Sequence, residues 1–319
     1  MKPNIISITI LIPAHNEEAN IVNLLESITK QNISNIYIEE IIVLCDGCTD
    51  NTAELASNFS HTHTNVHVLD DGRRLGKHRR LINAFKKIKS SIAIVFDGDI
   101  LLSHPNVLYE LSNPFANTNV SLVGGNNIPV ADYGLDNYLI NAWTMFWFRF
   151  KQHVRNGNNI HNVRSCALAI RMTLIRRATW PKELQSHGQF LYLQTLHNKM
   201  RFVFAHNAIV WYRNPTTFAD YAIQKKRGIG KYKQFAKQFG SWIKQEYEIS
   251  FIEKMTTVIA LFLRNPIESS VAMISRLYIW LYFINKSDSA RGHYWKVAQT
   301  TKSGISMNLF KNNSHFFKY

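Results

Sequence analysis

The feature that most constrains the fold of this chain is an alternation repeated through its first hundred residues. Ile5 to Ile12 is an almost unbroken β-branched, apolar run that stops at Pro13, and apolar residues then recur at Ile21, Leu24, Leu25 and Ile28 within Glu17 to Gln31. The first pattern predicts a buried strand, the second the inward stripe of an amphipathic helix. The pair returns as strand Glu40 to Cys45 with helix Thr52 to Phe59, and as strand Asn65 to Leu69 with helix Lys77 to Ile88, whose outer face is read as basic. A further strand covers Ser91 to Phe96. Strands joined through single helices build a mostly parallel sheet covered on both faces, so the fold class is α/β.

The polar residues cluster where these strands end. His15, Asn16 and Glu17 follow the first, Asp46 and Gly47 the second, Asp70 to Arg74 the third, and Asp97-Gly98-Asp99 the fourth. In a parallel sheet all four groups gather at the carboxyl edge, where open α/β folds bind their ligands. No G-x-G-x-x-G follows the first strand and no G-x-x-x-x-G-K-[ST] occurs, which removes the main support for a dinucleotide-binding dehydrogenase or a P-loop enzyme. The stretch DGRRLGK, Asp71 to Lys77, is a basic loop entering a helix, suited to phosphate or simply to solvent. Asp97 and Asp99 flank one glycine and repel each other unless a cation or strong donor lies between them. A hard divalent metal with a bound diphosphate meets that need; a polar turn with Gly98 in a left-handed conformation is the plainer alternative.

Composition narrows the class. With 319 residues, 46% of them hydrophobic, the chain has material for a substantial core and is not disordered. Lys and Arg total 37 against 22 Asp and Glu, and 37 − 22 gives a net charge of +15, which calls for an anionic partner or surface. Three cysteines make no disulfide framework and fit a reducing cytoplasm. Cys45 and Cys48 in CDGC, with His61, His63 and His67 nearby, lack the second pair of ligands a zinc site needs. The amino-terminal stretch does not read as a signal peptide, and no run reaches the roughly eighteen apolar residues of a membrane span.

Taken in order, IPAHNEEANI, CDGCTDNT, GKHRRLINAF and FDGDILLSHP resemble family 2 glycosyltransferases with the GT-A fold, closely over about the first 130 residues and more loosely to near 235. The resemblance implies that Pro13, Ala14, His15 and Glu17 border the nucleoside, that Asp46 hydrogen-bonds the base, usually uracil, and that Lys77 lies near the diphosphate with Asp97 and Gly98. Asp97 and Asp99 become the D-x-D carboxylates for Mg²⁺ or Mn²⁺, with Asp99 the direct ligand. Cys45 stands where many relatives have a first aspartate. Val120 to Gly124 reads as a strand leaving through VGGNN, whose Asn126 and Asn127 suit either sugar hydroxyls or a turn.

An inverting transfer needs a base for the acceptor's proton. The E-D pair of relatives is replaced within WPKELQSHGQFLYLQTL, leaving His187, Glu183, a more distant Asp132 or Asp136, or a protein that binds without catalysing. After a strand at Asn207 to Tyr212, Gln224 and Arg227 match the family's Q-x-x-R-W, to touch acceptor and diphosphate, with Gly228 in place of tryptophan. Loss of that stacking wall favours adding one or a few sugars over processive synthesis.

The expected organisation is a catalytic domain over 1–230 and a basic, aromatic helical region over 231–319, whose apolar faces pack on one another or lie in a membrane interface. The tail from Lys302 onward is too irregular to assign. The implied function is transfer from a UDP-sugar or other nucleotide-diphosphate sugar to a carbohydrate or lipid-linked acceptor. The place is the cytoplasm, peripheral at an anionic inner membrane face. A noncatalytic sugar-nucleotide-binding protein and a nucleotidyltransferase are the alternatives; nucleic acid is not an expected partner.

Overall fold

The computed structural model describes residues 5–130, 132, 134–226, 230–284, 299–302 and 304–305. The alternation read from the sequence forms β1 (Ile6–Ala14), α1 (Ile21–Thr29), β2 (Ile36–Cys45), α2 (Thr52–Ser60), β3 (Val66–Leu69), α3 (Lys77–Phe85) and β4 (Ile92–Phe96). Beyond it come β5 (Ile100–Leu102), α4 (Val107–Ser112), β6 (Val120–Val130), α5 (Leu135–His153), β7 (Ala167–Arg171), α6 (Met172–Arg177), α7 (His187–His197) and β8 (Arg201–Arg213). The helices α8 (Phe218–Lys226), α9 (Lys231–Phe239), α10 (Lys244–Tyr247), α11 (Phe251–Arg264) and α12 (Pro266–Ile284) follow.

The eight strands form one sheet in the order β3-β2-β1-β4-β7-β6-β8-β5. From β3 to β4 every pairing is parallel, but β7 runs antiparallel to both β4 and β6, and β5 antiparallel to β8. The sheet is therefore mixed, with the parallel half confined to the βα repeats. Its register sets the site. Ala14 lies opposite Cys45, Leu44 opposite Leu69 and Leu11 opposite Val95, so the loops after β1, β2, β3 and β4 leave the same edge.

Ile8, Thr9, Ile10, Leu11 and Ile12 are all fully buried, as a central strand covered on both faces requires. Two readings of the sequence change here. VGGNN is strand, not turn: a Cβ on Gly125 would come within 2.9 Å of the Ala167 Cβ and 3.2 Å of the Ala208 carbonyl oxygen, so glycine lets the neighbouring strands close in. Asn127 donates to the Gly125 carbonyl (3.0 Å), accepts from the Cys166 thiol (3.0 Å) and has no exposed surface; Asn126 donates to the His206 carbonyl (2.7 Å). Neither is open to a sugar. The basic outer face expected over Lys77 to Ile88 holds, with Arg79, Lys86 and Lys87 exposed, while Arg80 is turned in and buried.

The chain divides into two compact units, which interleave along the sequence instead of meeting at residue 230. The first takes residues up to Asn127, Val163–Tyr212 and the segment beginning at Lys302; the second takes Ile128–Asn162 and Arg213–Thr301. The second unit is helical. Ile140 packs with Phe218, Tyr221 and Ile279, and Phe150 with Val154 and Ile249. A buried asparagine chain pins its start, Asn214 donating to Asn141 (2.7 Å) and Asn141 to Asn137 (2.8 Å).

Within this unit α11 and α12 are patterned inside out. Their buried positions are small or polar, Thr257, Ser269, Ala272 and Ser275, together with Ile279. Their outward positions are large and apolar: Phe251, Ile252, Leu263 and Ile267 are each more than 70% exposed, and Ile274 and Leu277 more than half. Among the described residues no helix is long and apolar enough to cross a membrane.

Candidate active site

The loop after β1 is built around polar anchors. Asn16 takes a positive φ of 55°, accepts from the Thr49 backbone N–H (2.9 Å) and donates to its hydroxyl (3.0 Å), tying the β1 loop to the β2 loop. The Glu17 N–H donates to the Thr52 hydroxyl (2.7 Å). Pro13 and Ala14 are the buried last residues of β1, and the Ala14 carbonyl accepts from the Asp46 N–H (2.9 Å). His15 is half-buried with Nδ1 3.0 Å from the Asp46 carbonyl oxygen. Burial and the nearby Arg74 charge hold its pKa below the usual histidine value.

Asp46, which the resemblance places at the base, is bound to the basic loop. Its carboxylate accepts from the backbone N–H groups of Leu75 (2.8 Å) and Gly76 (2.9 Å) and from Arg80 Nε (3.2 Å). Arg80 also donates to Asp71 (2.5 Å) and to the Arg73 carbonyl. The basic loop is thus wrapped around a buried ion pair. Asp46 clamps that loop; its oxygens are engaged with protein donors.

The loop delivers Lys77, the first residue of α3, whose ammonium pairs with Asp97. Asp97, Gly98 and Asp99 connect β4 to β5, and Asn20 holds the turn by donating to the carbonyls of Gly98 (2.8 Å) and Ile100 (3.1 Å). Gly98 does not have a positive φ. Its missing side chain makes room for Glu17, since a Cβ there would sit 2.8 Å from the Glu17 Cγ. Glu17, Asp97 and Asp99 therefore form one acidic group.

The electrostatics match that crowding. Glu17 is 6% exposed, and burial first, then repulsion from Asp99 and Asp97, pushes its pKa up to about 8. Its Oε2 has no hydrogen-bond partner among the described residues, while its Oε1 accepts from the ammonium of Lys302. Burial also raises Asp97, with Lys77 opposing and Asp99 adding to the shift. Lys302 was not legible in the sequence, where it is one of 37 basic residues with no motif around it.

The candidates for proton transfer lie differently from expectation. His187, named as a candidate base, is the first residue of α7 and only 1% exposed, because α7 buries its amino-terminal turn. Its Nδ1 lies 3.3 Å from that of His78, the second residue of α3, which is half-buried. Glu183 is exposed in the loop before α7. Asp132 pairs with Arg213, and Asp136 accepts from the Phe218 N–H (3.2 Å), so both are engaged within the second unit. Gln224 lies half-buried on α8 of that unit; Arg227 and Gly228 lie outside the described residues.

The carboxyl edge of the parallel strands thus carries an acidic turn beside a basic loop, and comparison with known proteins gives the chain a family. The model of glycosyl transferase family 2 matches residues 9–177, more than half of the chain, and the chain belongs to that family. It is 29% identical over 119 residues to the glycosyltransferase AglE of Haloferax volcanii, covering 37% of this chain and 38% of that protein. It is 31% identical over 109 residues to a Staphylococcus aureus 4,4'-diaponeurosporenoate glycosyltransferase, covering 34% of this chain and 28% of that one. The matches thus span little more than a third of these relatives at most.

Two solved structures share the fold. A mannosyltransferase of Pyrobaculum calidifontis, in complex with GDP-Man and Mn²⁺, aligns with TM-score 0.55 at 15% identity, over 86% of this chain and 75% of that one. The glucosyl-3-phosphoglycerate synthase of Mycobacterium tuberculosis, in complex with Mn²⁺, UDP and phosphoglyceric acid, aligns with TM-score 0.52 at 17% identity, over 73% and 78%.

Proposed function

We propose that the protein is a metal-dependent, inverting glycosyltransferase. It would move a sugar from a nucleotide-diphosphate sugar, preferentially a UDP-sugar, to a carbohydrate or lipid-linked hydroxyl at a membrane surface. The observation that carries the reading is the meeting of Glu17, Asp97 and Asp99 with Lys77 at the edge where the parallel strands end. Complexes of fold relatives with GDP-Man or UDP and with Mn²⁺ support it.

Among the described residues no three His, Cys, Asp or Glu side chains gather to hold a metal ion alone. The residues still fit one, because Mg²⁺ commonly takes one or two protein carboxylates and completes its shell with phosphate oxygens. Asp97 and Asp99 would hold it, and it would offset charge building on the departing diphosphate. Lys77 adds a fixed cation beside the same oxygens. The basic loop, held by Asp46 and Arg80, presents Lys77 without reorganising on binding.

In the transfer the acceptor oxygen bonds to the anomeric carbon as the bond from that carbon to the diphosphate oxygen breaks, and the acceptor proton passes to a base. His187 is too enclosed to meet a hydroxyl directly, so the proton is assigned to the His78–His187 pair, with His78 the outer member. H78A and H187A should both lower kcat and shift its acidic limb, with donor affinity kept, whereas E183Q should leave the profile in place; the reverse pattern would move the base to Glu183.

The inside-out patterning of α11 and α12 supports the membrane assignment, since large exposed apolar areas mark surfaces that are covered in use. Lys254, Arg264 and Arg276 are exposed on the same helices, suiting anionic headgroups. Sedimentation with phosphatidylglycerol vesicles, but not with neutral ones at high salt, is the expected result.

The function is tested by incubating the protein with a panel of nucleotide sugars, lipid extracts and Mg²⁺ or Mn²⁺, followed by product mass spectrometry. Turnover should need the metal and fall steeply in D99N. D99N with full activity after chelation would sink the metal assignment; tight nucleotide binding without turnover of any donor would favour the noncatalytic alternative.

A further inference from the structure

The segment that resumes at Lys302 is seated on the first unit by four independent features. The Ile305 N–H donates to Asn20 Oδ1 (3.1 Å), Asn23 donates to the Ile305 carbonyl (3.3 Å), and the Ile305 side chain is 1% exposed. Gly304 lies so close to the chain that a Cβ there would be 2.2 Å from the Ala19 carbonyl oxygen. Asn20 is also the residue that holds the Asp97-Gly98-Asp99 turn. One side chain therefore sets both the acidic turn and the segment carrying Lys302.

From this seat Lys302 reaches into the acidic group. Its ammonium donates to the His15 carbonyl (3.0 Å) and pairs with Glu17. An ammonium has three N–H donors, and the described residues supply acceptors for two. The side chain keeps 22% of its surface exposed. Asp97 and Asp99 beside Glu17 crowd negative charge where an incoming diphosphate would lie, and Lys302 adds a second cation besides Lys77 that offsets that repulsion. Glu17 Oε2, buried and without a hydrogen-bond partner among the described residues, belongs to the same acidic group.

We propose that Lys302 is a donor-binding residue, its remaining N–H directed to an oxygen of the nucleotide's diphosphate. The inference rests on the nucleotide-sugar reading above and adds a residue some two hundred positions beyond the D-x-D turn.

The test is calorimetric titration of wild type, K302M, K302R and G304A with UDP, GDP, uridine and guanosine in Mg²⁺, with thermal melting to verify folding. K302M keeps the aliphatic stem and loses the charge. Its diphosphate affinity should fall by about ten- to a hundredfold, the worth of one charge-assisted hydrogen bond, with nucleoside affinity unchanged. K302R should recover most of the loss, and G304A, which unseats the segment, should resemble K302M. Equal or tighter UDP binding by K302M, or a parallel loss of uridine, overturns the assignment of Lys302 alone. Wild-type protein that binds neither diphosphate overturns it together with the reading it rests on.

Discussion

Replacing Asp46 separates two roles for one carboxylate. If Asp46 reads the nucleobase, D46A should weaken nucleoside binding and leave the apo protein as stable as before. The hydrogen bonds predict otherwise. The substitution strands two backbone N–H groups, of Leu75 and Gly76, and removes one of the anions paired with buried Arg80. Each part-buried donor left without a partner costs about 1 kcal/mol. Arg80 keeps Asp71 and the Arg73 carbonyl, so its loss is another ~1 kcal/mol and not the full cost of a stranded charge. The sum is about 3 kcal/mol. At roughly 2–4 °C per kcal/mol for a unit of this size, Tm should drop by about 6–12 °C. D46N, which keeps one acceptor oxygen, should fall between D46A and wild type. Differential scanning calorimetry of the apo protein measures this directly, and UDP and uridine titrations give the binding side. A D46A protein that melts within about 2 °C of wild type while losing uridine affinity would refute the clamp and restore the base-reading role.

Other expectations follow from close contacts and exposure. G125A should cost about 1–3 kcal/mol in urea unfolding, because the added Cβ meets β7 and β8 and neither central strand can retreat. G98A should be better tolerated in stability but should weaken Mn²⁺ and UDP binding, since Glu17 must swing away from a Cβ at 2.8 Å. Iodoacetamide should label Cys48 first, because Cys45 and Cys166 are buried and Cys48 is half-buried; mass spectrometry finding Cys45 labelled first would contradict the packing.

The parallel half of the sheet was legible because each strand there is a short apolar run and each crossover a single amphipathic helix, so pattern and topology are the same information. The other half was legible only in part: the strands at Val120 and Asn207 were read, whereas β5 and β7 were not. β6 reads as strand followed by turn because GGNN has turn composition, and only the approach of Ala167 and Ala208 shows why glycine belongs in that strand. Asp97, Asp99 and Lys77 were found from position and charge, and they do meet. The inward turn of Arg80 was not legible, because its buried partner, Asp46, lies 34 positions away and no periodicity links them. The burial of His187 was not legible, because α7 buries nearly all of its first two turns, including polar positions, leaving no amphipathic signal. Lys302 reaches its partners across about 285 residues, a separation at which local pattern carries nothing.

The seating of Ile305 on Asn20 and Asn23 also bears on how the protein is made. Synthesis delivers the βα repeats first, and their local contacts can form as they emerge, whereas the bonds from Asn20 and Asn23 wait for residues some 280 positions later. Until then Glu17 has no ammonium opposite it and Asn20 Oδ1 lacks its donor from Ile305. The nascent first unit would therefore be a compact body with a partly assembled acidic edge. Its last step is the closure of a very long loop, slow in rate though small in entropic cost per added residue. Nucleotide-binding competence should accordingly lag behind the appearance of secondary structure during refolding, by the time this single strap takes to find its seat.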